Sequence, residues 1–363
     1  MPEEPRPADQ PLSREILRAE QCDAGGAHGD AIDQLVAGMR KHDVEATTRL
    51  GKRLLVGDRA PCLPNDAARF IAEASQQGGA EAAALLAVLY AVGASKRHGV
   101  GDALESLIVA AERGWPQAQA QLEVLAEPPG SHGSPDGAVS PSRSARNWRE
   151  LGRTVDLAAW RTPGAATNLS ESPLVRSCPQ FLTEAVCRWL IDRARGRLSR
   201  ALVYEAVRKE VMARPTRTNT AAAFNMLETD FVGVLTQLRM AACLGIPLRQ
   251  FEPITVLHYD EGEEITDHFD FVDPNLPTYG QEIAERGQRV VTFLVYLNDD
   301  YGGGETAFPR LEISHKGRRG EGLFFVNALP DGSADVRTLH AGRTPVNGEK
   351  WIVSQFVRDR AVL

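Results

Sequence analysis

Ala46, Ala82 and Ala118 recur at a constant spacing of 36 residues, and so do Leu50, Leu86 and Leu122. The same interval relates Gly57 to Gly93, Ile71 to Leu107, Ala74 to Ala110 and Gly78 to Gly114. Small residues where helices cross, leucines four positions on and glycines between describe stacked antiparallel helical hairpins. A hairpin of this kind buries its apolar face only against its neighbours, so the period commits residues 31–127 to a helical solenoid. Such arrays offer a concave face that recruits a partner or substrate protein. A small helical bundle without a binding role would carry the same alanine-rich pattern.

Outside the repeats the chain divides by composition. Residues 1–30 show no sustained period and read as a flexible N-terminus. Their opening, Met1-Pro-Glu-Glu-Pro-Arg6, lacks the basic-then-apolar order of a secretion signal. Residues 128–150 are dense in Pro, Gly and Ser and read as a flexible linker. Arg143, Arg146, Arg149 and Arg153 then read as a solvated boundary, since no aromatic residues interleave a nucleic-acid patch. Five cysteines without C-x-x-C spacing indicate neither a disulfide framework nor a zinc site, and a reducing cytoplasm is the expected compartment. A net charge of −7 gives no footprint for nucleic acid or an anionic membrane, and the longest apolar run, Ala82 to Ala94, is too short to cross a bilayer.

Residues 151–363 mix helices and strands. Thr183 is a candidate cap for a helix through Phe181–Ile191, and a second helix is expected over Asp230–Leu244. After Pro253 come short strands over Ile254–Tyr259, Val290–Leu297, Gly322–Val326 and Trp351–Val357, separated by turn residues. Helices followed by short strands imply an α+β unit: a double-stranded antiparallel β-helix, or jelly roll, with supporting helices.

Residues two apart on a strand point to the same side, so His268 and Asp270 can reach one metal ion with Phe269 turned away. His258 and Asp260 offer the same spacing. Position favours the later pair, which opens a new segment at a sheet rim, whereas the earlier one belongs to a β-branched run. His315 and His340 are both candidate third ligands, the former in a polar loop and the latter in an extended segment. A hairpin around Pro345 would bring His340 and Lys350 onto neighbouring antiparallel strands. An inward Lys350 would need an anionic ligand, because a buried lysine with no partner is unfavourable. A dicarboxylate that chelates a metal at one end and meets Lys350 at the other satisfies both. Two imidazoles and a carboxylate leave the opposite face of an iron open for dioxygen.

The residues from about Cys178 to Phe356 resemble the prolyl 4-hydroxylase branch of the Fe(II)- and 2-oxoglutarate-dependent dioxygenases. The resemblance is carried by Phe181-Leu-Thr-Glu-Ala-Val-Cys187 and Arg217-Thr-Asn-Thr220, then Tyr259-x-x-Gly262 five residues before His268-x-Asp270. It continues through Arg289-Val-Val-Thr-Phe-Leu-Val-Tyr-Leu-Asn298, Gly303-Gly-Glu-Thr-Ala-Phe-Pro309, Leu339-His340 and Pro345-Val-Asn-Gly-Glu-Lys350-Trp351. It implies His268, Asp270 and His340 as iron ligands and Lys350 as the residue holding the distal carboxylate of 2-oxoglutarate. Tyr259 and Thr292 would line the same pocket, and Arg289 would lie near a peptide-binding groove. By strand alternation Phe356 shares a face with Lys350 and takes a place by the cavity, where the family often has tryptophan. The first half resembles Sel-type tetratricopeptide-like repeats, best seen in Ala72-Glu-Ala-Ser-Gln-Gln-Gly78 and Ala110-Ala-Glu-Arg-Gly114-Trp-Pro-Gln-Ala118.

The resemblance implies hydroxylation of prolyl residues in a protein or peptide by dioxygen, with release of succinate and carbon dioxide and with ascorbate as reductant. Asp270 argues against a halogenase, which needs that coordination position free. The same chemistry on another residue or a small molecule is the alternative enzyme reading. A silent scaffold, in which only the repeats act, is opposed by the complete set of metal and cosubstrate residues.

Overall fold

The computed structural model describes residues 11–129, 146–201, 203–205, 210–212, 216–273, 275, 277–329 and 331–362. They fall into two compact units. One comprises residues up to 126 with 146–157 and 226–234, and the other holds 158–225 and 235 onward. Among the described residues no helix is long and apolar enough to cross a membrane.

In the first unit the period becomes helices α1 (Arg14–Ala24), α2 (His28–Met39), α3 (Val44–Val56), α4 (Pro64–Gln76), α5 (Ala80–Ala91), α6 (Val100–Glu112) and α7 (Pro116–Leu125). Ala46, Ala82 and Ala118, with Leu50, Leu86 and Leu122, are buried at matching positions of α3, α5 and α7. Ile71 and Ala74 of α4 match Leu107 and Ala110 of α6, again buried. Gly57 ends α3 in the left-handed region at φ 72°, and its period partner Gly93 does the same at 83°; a side chain with a Cβ is strained there.

Three boundaries differ from expectation. Residues 1–30 are not uniformly flexible, because α1 and the start of α2 lie among them. The Ser13 hydroxyl caps α1 by accepting from the Ile16 amide, and Ile16 and Ala19 join the cluster of Ala31, Leu35, Ala46 and Leu50. Two buried positions in a polar helix leave little periodic signal. The segment 128–150 lies mostly outside the described residues, but its end is ordered. Helix α8 (Trp148–Arg153) follows, capped by Asn147, and packs against α6, where a Cβ on Gly152 would come within 2.4 Å of Ile108. The boundary arginines therefore clamp rather than merely solvate. Arg149 bonds Glu105 and Glu112, and Arg146 bonds Glu123; Arg143 lies outside the described residues. Residues 226–234 also belong to this unit, with the Gln121 side chain accepting from the Phe231 amide at 2.9 Å.

The second unit carries α9 (Leu157–Arg161), α10 (Glu184–Arg195), α11 (Phe231–Leu244, from Leu235 on) and α12 (Pro277–Arg286) around a β-sandwich. Thr183 caps α10 as anticipated, its hydroxyl accepting from the Val186 amide. The major sheet has β1 (Thr167–Glu171), β2 (Leu174–Cys178), β3 (Ser199–Arg200), β6 (Thr220–Ala223), β7 (Thr255–Tyr259), β9 (Arg289–Tyr296), β13 (Gly322–Val326) and β16 (Lys350–Arg358). Their spatial order is β1-β2-β13-β9-β16-β7-β6-β3, with antiparallel pairing between neighbours. The minor sheet runs β12 (Ile313–His315), β11 (Thr306–Phe308), β14 (His340–Gly342) and β8 (Ile265–His268). Two short pairs complete the unit: β4 (Val203–Glu205) with β5 (Glu210–Met212), and β10 (Gly302–Gly303) with β15 (Pro345–Val346). Core side chains come from both sheets: Leu257, Leu294, Leu323, Phe325 and Ile352 from the major one, Ile265 and Phe308 from the minor one. Two such facing layers form the double-stranded β-helix.

One expected pairing is absent. His340 and Lys350 do not sit on neighbouring strands, because β14 belongs to the minor sheet and β16 to the major sheet. The chain crosses between sheets through Asn347, at φ 57°, and Gly348, while β15 pairs with β10. Lys350 is consequently opposite Tyr259.

Candidate active site

His268 and His340 face each other in register across β8 and β14, with ring centroids 4.3 Å apart. Each Nδ1 is within hydrogen-bond distance of a backbone carbonyl, His268 with Thr266 at 2.8 Å and His340 with Thr338 at 3.0 Å. A carbonyl only accepts, so both Nδ1 atoms carry the hydrogen and both Nε2 atoms are turned toward Asp270. Asp270 lies in a bend just past β8. Its carboxylate oxygens stand 3.5 Å from His268 Nε2 and 3.2 Å from His340 Nε2. The three donor atoms lie within 4.8 Å of one another. Asp270 and His340 are buried, while His268 is half-buried and opens the cluster to solvent on one side. Burial alone would raise the Asp270 pKa, yet the His340 and His268 imidazoles hold it well below the usual range. Burial opposes charge on His340, and Asp270 reverses that by drawing its pKa up.

A buried relay fixes the carboxylate. Thr292 Oγ1 donates to Asp270 Oδ2 at 2.8 Å and accepts from Asn327 Nδ2 at 2.9 Å. Thr292 was expected to line the cosubstrate pocket, but its hydroxyl is committed to Asp270. Asn327 was not anticipated. Its one signal is a polar residue placed directly after the apolar strand Gly322–Val326. Phe325 and Phe308 wall the His340 ring, with centroids at 4.7 and 5.5 Å.

Lys350 is only 1% exposed. Its ammonium donates to the Gly304 carbonyl at 2.7 Å and stands 5.1 and 5.7 Å from the Tyr259 and Tyr296 ring centroids. No carboxylate among the described residues lies within ion-pairing distance of it. Burial pushes its pKa down to about 7, opposed only by the more distant Glu305. An inward cation with one carbonyl partner is a receptor for an anion.

The competing histidines have other partners. His258 Nδ1 meets Thr220 Oγ1 at 3.1 Å, Nε2 meets Glu349 at 2.9 Å, and the ring packs on Trp351. Asp260 beside it is largely exposed. His258, Asp260 and Glu263 do converge, but neither His258 nitrogen is left without a partner. His315 is not a solvated loop residue, since it sits on β12 with Nε2 3.0 Å from Glu321. Arg289 bonds both oxygens of Glu252 at 2.7 and 2.9 Å and lies 3.9 Å over the Phe356 ring. Its guanidinium is thus engaged with Glu252 and Phe356 within the protein. Phe356 is the register partner of Thr292, which places it one step from Asp270.

Residues 254–358 match the model of the 2OG-Fe(II) oxygenase superfamily. Prolyl 4-hydroxylase 13 of Arabidopsis thaliana is 31% identical over 209 residues, covering 53% of this chain and 73% of that protein. The chain belongs to the prolyl 4-hydroxylase family. A second member from Arabidopsis thaliana, probable prolyl 4-hydroxylase 9, is 30% identical and covers 53% of this chain and 71% of its own length. The solved viral collagen prolyl hydroxylase of Paramecium Bursaria Chlorella virus-1 aligns with 51% of this chain and 95% of its own, at 27% identity and a TM-score of 0.40. As a member of this family the protein is a 2-oxoglutarate-dependent dioxygenase that uses Fe(II) and 2-oxoglutarate, with ascorbate the family's usual reductant. The residues present fit that pair. Two imidazole lone pairs and one carboxylate converge with a face open, and a buried ammonium lacks an anionic partner.

Proposed function

We propose that this protein hydroxylates prolyl residues of a protein or peptide, with His268, Asp270 and His340 holding Fe(II) and Lys350 holding the remote carboxylate of 2-oxoglutarate. The observation that carries the reading is Lys350: a buried ammonium without a counter-ion among the described residues, in the same sandwich as a two-imidazole, one-carboxylate cluster. The relatives named as prolyl 4-hydroxylases support prolyl residues as the target.

When bound, iron with 2-oxoglutarate and dioxygen supplies the oxidising chemistry, which ends in succinate, carbon dioxide and one hydroxyl on the substrate. The protein's contribution is positional. The Thr266 and Thr338 carbonyls hold two ring tautomers with Nε2 inward, and the Asn327–Thr292 relay fixes the Asp270 carboxylate. Phe308 and Phe325 keep water from the His340 side, leaving the half-open His268 side for substrate. Phe356, braced by Arg289 and Glu252, gives an aromatic wall on which a pyrrolidine ring can rest. The repeat unit is the candidate for recruiting the substrate protein.

The test is turnover of the full chain with Fe(II), 2-oxoglutarate and ascorbate on proline-containing peptides. Succinate release together with a +16 Da shift on proline supports the assignment. Succinate release with the shift on another residue or a small molecule keeps the oxygenase and discards the prolyl target.

A further inference from the structure

Two phenol rings, Tyr259 and Tyr296, flank the Lys350 ammonium, a third, Tyr301, lies by the lysine stem, and their hydroxyls are not equivalent. Tyr296 Oη donates to Thr306 Oγ1 at 2.8 Å and is committed there. Tyr259 sits opposite Lys350 in strand register and presents its ring to the ammonium. Tyr301 is buried, yet its Oη has no hydrogen-bond partner among the described residues. A buried hydroxyl in that state is a net loss to folding unless a ligand completes it.

Its location says which ligand. A Cβ at Gly304 would lie 2.6 Å from Tyr301 Cε2 and 3.5 Å from Lys350 Cδ. The ring edge and the lysine stem therefore meet over the one residue that leaves space between them. Gly304 holds a left-handed φ of 70°, and its carbonyl is the acceptor that anchors the Lys350 ammonium. The ring is held from the other side. Lys316 Nζ stands 4.8 Å from its centroid and also donates to the Tyr301 carbonyl. A fixed ring with an unengaged hydroxyl, beside a buried cation, is a preformed donor pair for a carboxylate.

We infer that Tyr301 Oη is a second donor, alongside Lys350, to the remote carboxylate of 2-oxoglutarate. The inference rests on the reading of Lys350 given above. Burial raises the phenol's pKa, so the group remains a neutral O–H donor across the working range.

Tyr301→Phe in the full-length protein separates a ligand role from a structural one. Since the hydroxyl has no partner among the described residues to lose, the variant without cosubstrate should melt at or above the wild-type temperature. By anaerobic calorimetry with Fe(II), it should bind 2-oxoglutarate roughly tenfold more weakly. It should bind 2-oxobutyrate, a keto acid lacking the remote carboxylate, as the wild type does. A lowered melting temperature with unchanged 2-oxoglutarate affinity overturns the inference, as does equal weakening for both keto acids. Lys350→Ala is the companion. Should it bind 2-oxoglutarate normally, the reading of Lys350 fails, whereas weakening by Lys350→Ala with normal binding by Tyr301→Phe removes only the role given to Tyr301.

Discussion

Thr292 holds Asp270 in place, with its hydroxyl 2.8 Å from one carboxylate oxygen and the Asn327 amide donating to that hydroxyl from behind. A carboxylate set by a buried donor keeps its orientation whether or not a metal is bound. Outer partners of this kind typically contribute 10–100-fold to metal affinity. Thr292→Val preserves the side-chain shape, removes the donor and strands the Asn327 amide. Its Fe(II) affinity, measured by competition with a chelator, should fall by about tenfold or more, and a fold that melts near the wild-type temperature would place the loss at the site. Wild-type affinity would show that Asp270 needs no such support.

Much of this arrangement is legible in the sequence. The 36-residue interval located one buried alanine and one buried leucine in each of α3, α5 and α7, because each repeat sees the same neighbours. His268 and His340 converge through the register of β8 and β14, and Asp270 joins them from the bend just past β8 rather than by strand alternation. What was not legible depends on where the chain crosses between sheets. The turn at Asn347 and Gly348 looks like a hairpin in sequence, yet it hands the chain from the minor sheet to the major one. Asn327 is an isolated polar residue whose partner Thr292 lies 35 positions away, and Tyr301 is a lone buried phenol, so no short-range pattern marks them. The Glu252 partner of Arg289 was hidden for the same reason, being 37 positions away.

The two His-x-Asp pairs separate cleanly by mutation. Asp270→Ala removes the carboxylate that stands between the His268 and His340 Nε2 atoms and should abolish succinate formation. Asp260→Ala removes an exposed carboxylate 3.7 Å from a histidine that already has Glu349 and Thr220 as partners, and should leave activity largely intact. Equal losses in a succinate assay would reverse the assignment of the pairs.

Cosubstrate binding should be coupled to proton uptake. Without a bound anion, burial holds the Lys350 pKa near 7, against an ordinary 10.5. The carboxylate needs the ammonium, so above about pH 7 binding must draw in a proton, and the affinity for 2-oxoglutarate should fall as pH rises, up to tenfold per unit. At pH 6 the lysine is already charged and uptake should be small; at pH 8.5 it should approach one proton per molecule bound. Calorimetry in buffers of different ionisation enthalpy reads this directly. Identical proton counts at both pH values would mean that Lys350 is not the titrating partner.

Glu252 ties two strands to the wall beside the site. It receives Arg289 through both oxygens and Arg358 at 2.6 Å, and the Arg358 side chain has no exposure at all. Burial alone would raise the Glu252 pKa, but the two guanidiniums outweigh it and hold the carboxyl below its ordinary 4.5. A depressed carboxylate stabilises the fold above its unfolded pKa, and that stability is lost as pH falls through the lower folded value. Glu252→Gln should therefore destabilise by about 3–5 kcal/mol at pH 7, because it leaves a buried guanidinium short of charge. The deficit should shrink at an acid pH well below that ordinary 4.5, as the wild-type carboxyl is itself protonated. Urea unfolding of both proteins at the two pH values measures it, and a pH-independent difference would show that the ion pair is not what Glu252 contributes.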